Sequence, residues 1–459
     1  MILPVLQLCM AAFIPTALGY SLILLLFRQK PLGFVFSLAL GYGLGMGILA
    51  QWMLLLGVMQ WPMDLLTISI PLVIATGLIG FCLIKCKTPF PVTVFKASAS
   101  KIDIAFILMA VFVCYYVYYV FWRALNIPIY SWDALATHAF NGKILFYERS
   151  LQYLSNFPHA TYPLQVPLSL MWIALNLGQW DDVWVNIIFS LNFLAYLVIQ
   201  HEVLRLFTNR RWSMLGLALL VSANFVIYHA TIAYRDFTLL FYNCTAIILI
   251  IFWSLRKDRT FLFLAGLYAG FATFTKLEGV LYLLIYFILL LVVLVYRKTN
   301  LKTSIKQLLT FAIPGTGIFL FYFIYRLIRI GLVSDLAGRK DLDLTYIHIN
   351  FSWDQIGKAC LILQKFFENL FFTGNWNLLW LLFFLSLFNV KNLKARFEVW
   401  LFLLALGLLL GSYFLAFLLT QHASWITESD TALSRALLHF FPLTVILIVL
   451  LNAPLKEEK

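Results

Sequence analysis

The chain has 459 residues, of which 63% are hydrophobic and only 12% are charged. Because a soluble domain carries about 25% charged residues, this composition excludes an ordinary soluble protein and predicts an all-α polytopic membrane protein in a lipid bilayer. The formal net charge of +13 would suit a nucleic-acid partner, but the basic residues lie in short loops between apolar segments, so no nucleic acid is expected.

Four apolar segments of span length open the chain, at 4–26, 32–56, 65–84 and 103–122. The second segment contains glycines at four alternate positions, Gly41, Gly43, Gly45 and Gly47. They form two overlapping pairs of small residues four apart. This spacing predicts that another helix approaches the second span closely.

The segment 166–180 decides the topology of the rest of the chain. It is apolar but short, and polar residues interrupt it at Asn176 and Gln179. If it crosses the membrane, the basic loop 205–211 lies on the same side as the long polar loop 123–165. If it lies in the interface, that basic loop and every later one are cytoplasmic, which is the positive-inside pattern. We therefore predict that 166–180 does not cross.

Nine further spans follow under this topology, at 182–204, 213–228, 237–255, 261–275, 279–296, 308–327, 376–390, 398–419 and 435–451. The prediction is thus about thirteen transmembrane helices, an outer N-terminus and a cytoplasmic tail at 453–459. The outer loops are 123–181, 229–236, 276–278, 328–375 and 420–434. The loop 328–375 has a charged part and a short amphipathic part.

Ionisable residues gather at the outer ends of the predicted spans. A charged group at bilayer depth costs about 2.5–3.5 kcal/mol on insertion scales, so its presence indicates function. Five separate stretches of sequence deliver such groups to one membrane face, and this convergence predicts a site. The candidates are Asp133, His138, Lys143, His159, Arg235, Asp236, Lys276, Glu278, Arg435 and His439.

Asp133 is the candidate catalytic residue. Ser131 precedes it and would cap a helix over 134–146. On that helix Asp133, Thr137 and Asn141 share one face, which fits an amphipathic segment on the outer membrane surface. The alternative is that Asp133 only complements the helix dipole.

The other candidates also have structural explanations. Asp236 would form a local ion pair with Arg235 or cap its helix, and Lys276 would extend to the membrane interface. Arg435 would contact lipid headgroups, but its planar fork also matches phosphate oxygens. The candidate histidines are of a type that is often structural. The sequence contains no HExxH motif, no zinc-type Cys pair and no Gly-rich phosphate loop.

Taken together, these motifs resemble the GT-C superfamily of polytopic glycosyltransferases, which use polyprenyl-phosphate-linked sugars. The resemblance covers about residues 120–450 and is to the bacterial family-39-like transferases, related to the protein O-mannosyltransferases and the lipid A aminoarabinose transferase. The matching motifs are Trp132-Asp133-Ala134-Leu135-Ala136, Tyr162-Pro163-Leu164, Ala233-Tyr234-Arg235-Asp236, Thr275 to Gly279 and Arg435 to Pro442. Many relatives carry paired acids in the first outer loop, whereas Ala134 follows Asp133 here.

The resemblance implies a transferase that moves a sugar, with inversion, from a polyprenyl-phosphate donor to a hydroxyl of a lipid, glycan or protein acceptor. Arg435 and Lys276 would hold the donor phosphate, and Asp133 would receive the acceptor proton. The remaining candidates would bind substrate. The resemblance does not require a cofactor. If a divalent metal, Mg²⁺ or Mn²⁺, takes part, Asp133 and Asp236 would bind it.

The resemblance also implies a domain organisation and a location. A GT-C-like core is expected at 103–452, with surface helices in the outer loops 123–181 and 328–375. The transmembrane helices at 1–102 are additional to this core. The site would face the periplasm from a bacterial inner membrane.

Two other functions are compatible with a polytopic chain. A transporter or lipid-linked glycan flippase is typically marked by ionisable residues near mid-membrane and by internal repeats, and neither is evident in this sequence. A non-catalytic assembly subunit would not need convergent charge on its outer face. The pattern of charges therefore favours the transferase.

Overall fold

The computed structural model describes residues 2–88, 103–152, 159–160, 162–329, 353–389, 391–392, 396–420, 426 and 431–454. All regular elements within these ranges are helical, so the predicted all-α class is confirmed. The α-helices are α1 (Ile2–Leu26), α2 (Phe34–Val58), α3 (Leu65–Lys85), α4 (Ile104–Asn126), α5 (Ala139–Glu148), α6 (Gln165–Leu177), α7 (Ile187–Phe207), α8 (Arg210–Ser222), α9 (Asn224–His229), α10 (Arg235–Arg256), α11 (Arg259–Thr275), α12 (Glu278–Tyr296), α13 (Leu301–Arg329), α14 (Trp353–Phe371), α15 (Leu379–Ser386), α16 (Phe397–Leu419), α17 (Thr431–Leu438) and α18 (Phe441–Asn452). A π-helix at Ala134–His138 precedes α5, and a 3₁₀-helix at Trp184–Asn186 precedes α7.

Nine helices in the described ranges are long and apolar enough to cross a membrane: α1, α2, α3, α4, α7, α10, α12, α13 and α16. Helices α17 and α18 meet at a bend of 51° and add a tenth crossing if they act as one span. The chain is therefore an integral, polytopic membrane protein. The predicted count of thirteen spans is not confirmed.

The difference lies in three predicted spans whose helices are short. The segment 213–228 contains most of α8 and most of α9, of 13 and 6 residues, and the segments 261–275 and 376–390 correspond to α11 and α15, of 17 and 8 residues. A helix needs about 20 residues to span the hydrocarbon core. Helix α6, in the segment 166–180, has 13 residues, and its position relative to the membrane stays a prediction.

Helix α10 lies at the centre of the bundle. Every residue from Arg235 to Ser254 is buried, and α10 packs against α7, α11 and α12. A helix whose residues are buried on every side forms the core of a bundle. Helices α3 and α4 instead bury only a few residues each and leave apolar faces exposed, as lipid contact requires. The N-terminal turn of the most buried helix thus carries two of the candidate site residues.

The glycines of α2 permit the predicted close approach of helices. Gly41 and Gly45 face α1, and a Cβ atom at Gly45 would overlap the carbonyl of Pro15. Gly43 and Gly47 face aromatic rings of α10 and α11. Helix α2 therefore packs between α1 and the core. The domain boundary at residue 102 stays a prediction.

Helix α14 occupies the amphipathic part of the predicted loop 328–375. Lys358 on this helix donates hydrogen bonds to the carbonyls of Leu418 and Thr420, at 2.7 and 2.9 Å. The last carbonyls of a helix lack intrahelical partners, so Lys358 caps the C-terminal end of α16. The charged part of the loop, at 335–343, lies outside the described residues.

Candidate functional site

Four stretches of the chain meet at one end of the bundle, where the ends of α10, α11, α12 and α17 approach the π-helix. They bring Asp133, Asp236, Lys276, Glu278 and Arg435 into one network of ion pairs. Asp133 and Arg435 are 302 residues apart in the chain and are in direct contact. The fold thus joins these candidates, while their chemical roles stay predictions.

Arg435 is the centre of this network. Its Nη1 donates to Oδ2 of Asp133 at 2.6 Å, and its Nε and Nη2 both donate to Oδ2 of Asp236, at 3.1 and 2.9 Å. The guanidinium also lies over the ring of Tyr234, 4.9 Å from the centroid. The planar fork of one arginine therefore fixes the two carboxylates relative to each other.

Asp236 is fully buried and accepts hydrogen bonds through both oxygens. While Oδ2 binds Arg435, Oδ1 accepts from Nζ of Lys276 at 3.0 Å and from Nε2 of His439 at 2.9 Å. A carboxylate is tolerated at such depth only when it is paired and hydrogen-bonded. Asp236 meets that condition, and it connects two cations, Arg435 and Lys276, with the imidazole of His439.

Lys276 joins two carboxylates. Its Nζ lies 3.0 Å from Oδ1 of Asp236 and 2.8 Å from Oε1 of Glu278. Burial by itself would lower the pKa of Lys276, but the two carboxylates outweigh it and hold that pKa above its ordinary value. Lys276 therefore stays charged throughout the physiological pH range. A lysine that merely extended to the interface would need no such pair of partners.

A break between α17 and α18 places His439 in the network. Pro442 lies in the first turn of α18, and its ring clashes with the carbonyl four residues earlier and offers no N–H. The two helices therefore meet at 51°. The carbonyl of His439 accepts from Nδ2 of Asn243 at 2.8 Å, while the buried imidazole points Nε2 to Asp236.

The segment after Asp133 forms a π-helix and then α5, not one α-helix over 134–146. The Thr137 hydroxyl donates to the carbonyl of Asp133 at 2.6 Å, so its oxygen accepts from Nδ1 of His138 at 2.9 Å. Nε2 of His138 is then an acceptor, and it has no partner among the residues that the structure describes. Burial, assisted by the charge of Arg235, holds the pKa of His138 well below its ordinary value. His138 is therefore neutral.

Arg235 does not form the expected ion pair with Asp236. It is fully buried, and its guanidinium lies over the ring of Tyr162, 4.7 Å from the centroid. Its three nitrogens have no hydrogen-bond partner in the described part of the chain. The ring of His159 stacks on Tyr162 at 5.1 Å. His159 thus contacts the aromatic ring that packs against Arg235.

The structure does not support two expectations for the first outer loop. Lys143 lies 3.6 Å from Asp182, with both side chains about half exposed, and is not part of the Arg435 network. The Ser131 hydroxyl lies 3.5 Å from the Tyr228 hydroxyl, and the turn that follows it is a π-helix whose first residue has no side-chain cap.

Three tyrosines belong to the site but escaped the sequence analysis. Tyr234 lies under Arg435, and Tyr282 and Tyr413 contact His439. Aromatic residues make up 17% of this chain, so their type alone does not indicate a site. One signal was available for Tyr282, because it follows Glu278 by four residues and therefore shares its helix face. Tyr413 carries no comparable signal.

The site does not fit a divalent cation held by Asp133 and Asp236. The guanidinium of Arg435 lies between the two carboxylates, and Lys276 occupies the other oxygen of Asp236. A metal ion would have to displace both cations from the oxygens that it needs. Among the described residues there is also no group of three His, Cys, Asp or Glu side chains suited to a metal.

Comparison with known proteins relates the fold to one solved structure. A scan against protein-family models finds no match, and no curated protein matches the sequence. A search of solved structures finds ArnT from Cupriavidus metallidurans, in its apo crystal structure, with a TM-score of 0.50. Over the matched region the fold is similar to that of ArnT.

The likeness to ArnT is one of fold. The two sequences are 14% identical over the matched region, which covers 76% of this chain. The matched region covers 60% of the ArnT chain, so this chain spans about three-fifths of the length of ArnT. An all-α polytopic membrane fold is shared, and the resemblance inferred from the sequence motifs is supported at that level.

A buried histidine beside the network makes the stability of the protein depend on pH. Burial lowers the pKa of His229 to about 3, against the opposing effect of the Asp236 carboxylate. The unfolded chain binds this proton near pH 6.5, so the stabilising effect is complete above that pH and is lost as the pH falls. Between pH 6.5 and 4, His229 should lower the free energy of unfolding by about 1.4 kcal/mol per pH unit, and His229→Leu should lack this decrease.

The measurement is the melting temperature at pH 7 and at pH 5 in detergent. Each protein is compared with itself, so that the packing cost of the leucine cancels. Wild-type protein should lose more degrees than His229→Leu between the two pH values. Equal losses in the two proteins would contradict the prediction.

Proposed function

We propose that this protein is a membrane glycosyltransferase of the GT-C type, which transfers a sugar from a polyprenyl-phosphate donor to an acceptor hydroxyl on the outer membrane face. The observation that carries the proposal is that Arg435 joins Asp133 to Asp236 at the converging ends of the helices. A base and a phosphate-binding cation thereby lie side by side. The ArnT-like fold supports the same class of protein, because ArnT is a GT-C lipid A aminoarabinose transferase.

The network keeps hydrogen-bond donors available for a phosphate. A guanidinium has five N–H groups and an ammonium has three. Within the described residues, Arg435 uses three of its five on Asp133 and Asp236, and Lys276 uses two of its three on Asp236 and Glu278. Both side chains are partly exposed. The remaining donors suit the oxygens of a lipid-linked phosphate.

Arg235 adds positive charge beneath these donors. Because no carboxylate neutralises it within hydrogen-bond distance in the described structure, its charge favours an anion nearby. Burying a cation without a carboxylate partner costs desolvation free energy. Its presence at the site of a membrane protein therefore indicates function. We assign Arg235 to electrostatic attraction of the donor rather than to direct contact.

The chemistry follows from the position of Asp133. Its side chain is about one-third exposed and would accept the proton of the acceptor hydroxyl. The hydroxyl oxygen attacks the anomeric carbon from the face opposite the phosphate, the bond between that carbon and the phosphate oxygen breaks, and the phosphate leaves with the electron pair. Inversion results. The cations Arg435 and Lys276 stabilise the leaving anion, so no strong general acid is needed.

The finer assignment rests on the sequence motifs. A family-39-like transferase related to the protein O-mannosyltransferases would act at the periplasmic face of a bacterial inner membrane on a lipid, glycan or protein. Of the original candidates, Glu278 and His439 would hold the binding residues in place, whereas Lys143 lies apart from the network.

The test uses purified protein in lipid nanodiscs. A polyprenyl phosphate should bind, and the polyprenol of the same chain length should bind much more weakly, because it lacks the charge that the cations recognise. With a panel of polyprenyl-phosphate sugars, transfer in nanodiscs should release the free lipid phosphate. In cells, mass spectrometry of cell-surface glycans with and without the protein should show the glycosylated acceptor. Equal binding of the phosphate and the alcohol would refute the proposal.

A further inference from the structure

A closed hydrogen-bonded triangle lies on the side of His439 that faces away from Asp236. Nδ1 of His439 is 2.9 Å from the hydroxyl of Tyr282 and 2.9 Å from the hydroxyl of Tyr413. The two hydroxyls are also hydrogen-bonded to each other. The imidazole and the Tyr282 side chain are almost completely buried, and Tyr413 is 6% exposed. The triangle is therefore sealed from bulk water.

Counting protons fixes the form of the imidazole. Asp236 as a carboxylate only accepts, so Nε2 of His439 carries a proton and donates it. In the neutral imidazole Nδ1 is then an acceptor. One tyrosine donates to the other, which donates to Nδ1, and every proton of the triangle finds an acceptor. An imidazolium would add a third donor at Nδ1 and leave one hydroxyl proton without an acceptor inside the triangle.

The backbone of His439 is held as firmly as its side chain. The helix break at Pro442 frees the His439 carbonyl, which accepts from Nδ2 of Asn243. Oδ1 of Asn243 accepts in turn from the hydroxyl of Tyr286. The residue is thus fixed by groups from α10, α12 and α16.

We propose that His439 is a positioning residue, kept as the neutral Nε2–H tautomer by Tyr282 and Tyr413, which aims the Asp236 carboxylate at Arg435 and Lys276. This inference rests on the proposed function, since it concerns the same site. His439 does not touch the substrate in this assignment. Its effect passes through Asp236 to the two cations that receive the phosphate.

The geometry predicts redundancy between the tyrosines. Either hydroxyl is within reach of Nδ1, so Tyr282→Phe and Tyr413→Phe each leave one donor and should lower transfer by less than about threefold. The double variant removes both donors, leaves Nδ1 buried without a partner and allows the imidazole to rotate. Because a displacement of about 1 Å at a reacting group can cost about 10²-fold in rate, we expect the double variant to lose transfer by about that factor.

A matched control removes two other buried hydroxyls. Those of Tyr242 and Tyr268 donate to the backbone carbonyls of Gly43 and Leu40, away from Asp236. The double variant Tyr242→Phe/Tyr268→Phe loses as many buried hydrogen bonds and should melt at a similarly lowered temperature, with transfer changed by less than about threefold. Additive losses in the Tyr282 and Tyr413 series, or an equal loss in this control, would overturn the proposal.

Two further measurements keep the proposal decidable if the double variant folds poorly. In ¹⁵N-histidine-labelled protein in nanodiscs, assigned by comparison with His439→Gln, the imidazole should appear neutral with its proton on Nε2. His439→Gln keeps an amide N–H near the Nε2 position and should retain at least tenfold more transfer than His439→Leu. An imidazolium, an Nδ1–H tautomer or equal activity of the two variants would overturn the positioning role.

These readouts separate the two proposals. Failure of wild-type protein to bind polyprenyl phosphate overturns the proposed function, while the nitrogen spectrum still decides the state of His439. Normal transfer in wild type together with full transfer in the Tyr282 and Tyr413 double variant overturns the positioning role alone.

Discussion

Replacing Asp133 by asparagine is expected to lower sugar transfer by about 10²–10⁴-fold, the range for loss of a general base. Asparagine has almost the same shape and still offers an oxygen to Nη1 of Arg435, so the contact at 2.6 Å can persist. It cannot take a proton from an acceptor hydroxyl. Because the Asp133 side chain is partly exposed, the variant should insert and melt like wild type. The measurement is the release of polyprenyl phosphate in nanodiscs, with binding of that lipid as a second readout.

The matched control is Asp182→Asn. Asp182 is also an acid of the predicted outer face and lies 3.6 Å from Lys143, but it has no contact with Arg435. Transfer should stay within about twofold of wild type, because exposed ion pairs contribute little. Full activity of Asp133→Asn would remove Asp133 from the chemistry. A loss of lipid binding equal to the loss of transfer would instead assign Asp133 to donor binding.

Some of this site could be predicted because membrane insertion makes charge expensive. The ends of long apolar segments carry Asp236, Lys276 and Glu278. A carboxylate or ammonium at that depth is costly, so its presence indicates function. The positive-inside pattern suggested that these ends share one face. The prediction of an all-α polytopic fold depended only on the length of apolar runs, which is a robust signal.

The partners of these charges could not be predicted. Arg435 binds Asp236 across 199 residues and Asp133 across 302, and no local pattern reports such pairings. The break that orients His439 toward Asp236 depends on Pro442, and the sequence analysis did not predict a helix bend at this proline. Tyr282 and Tyr413 look like any other membrane aromatics until the fold places both hydroxyls on one nitrogen.

The predicted span count was not confirmed for a related reason. Hydropathy records how apolar a segment is, but not how long its helix remains straight. The described part of the predicted span 376–390 contains only the eight-residue helix α15, and α17 and α18 are bent by 51° within another predicted span. Apolar residues in such short helices are buried against neighbouring helices, as in α8 and α6. Buried core and lipid-facing surface have the same composition, so the sequence does not separate them.

Asp236→Asn is expected to have the largest combined effect on stability and activity. The carboxylate receives donors from Arg435, Lys276 and His439, and its loss leaves each of the two cations with one carboxylate partner instead of two. Removal of one partner of a buried ion pair typically costs about 3–5 kcal/mol. We therefore expect a clearly lowered melting temperature together with a loss of transfer of about 10²-fold or more.

A second substitution distinguishes these two consequences. Lys276→Met in the Asp236→Asn background restores the balance of charge, so the double variant should be more stable than the sum of the single changes implies. Transfer should stay lost, because Lys276 is one of the proposed phosphate ligands. The control cycle uses Asp103→Asn and Arg211→Gln, an exposed ion pair at 3.2 Å, whose coupling should stay below about 1 kcal/mol. If the Asp236 and Lys276 cycle shows no larger coupling, the network does not hold this end of the bundle together. If transfer returns with stability, Lys276 acts only as a counter-charge and not as a ligand.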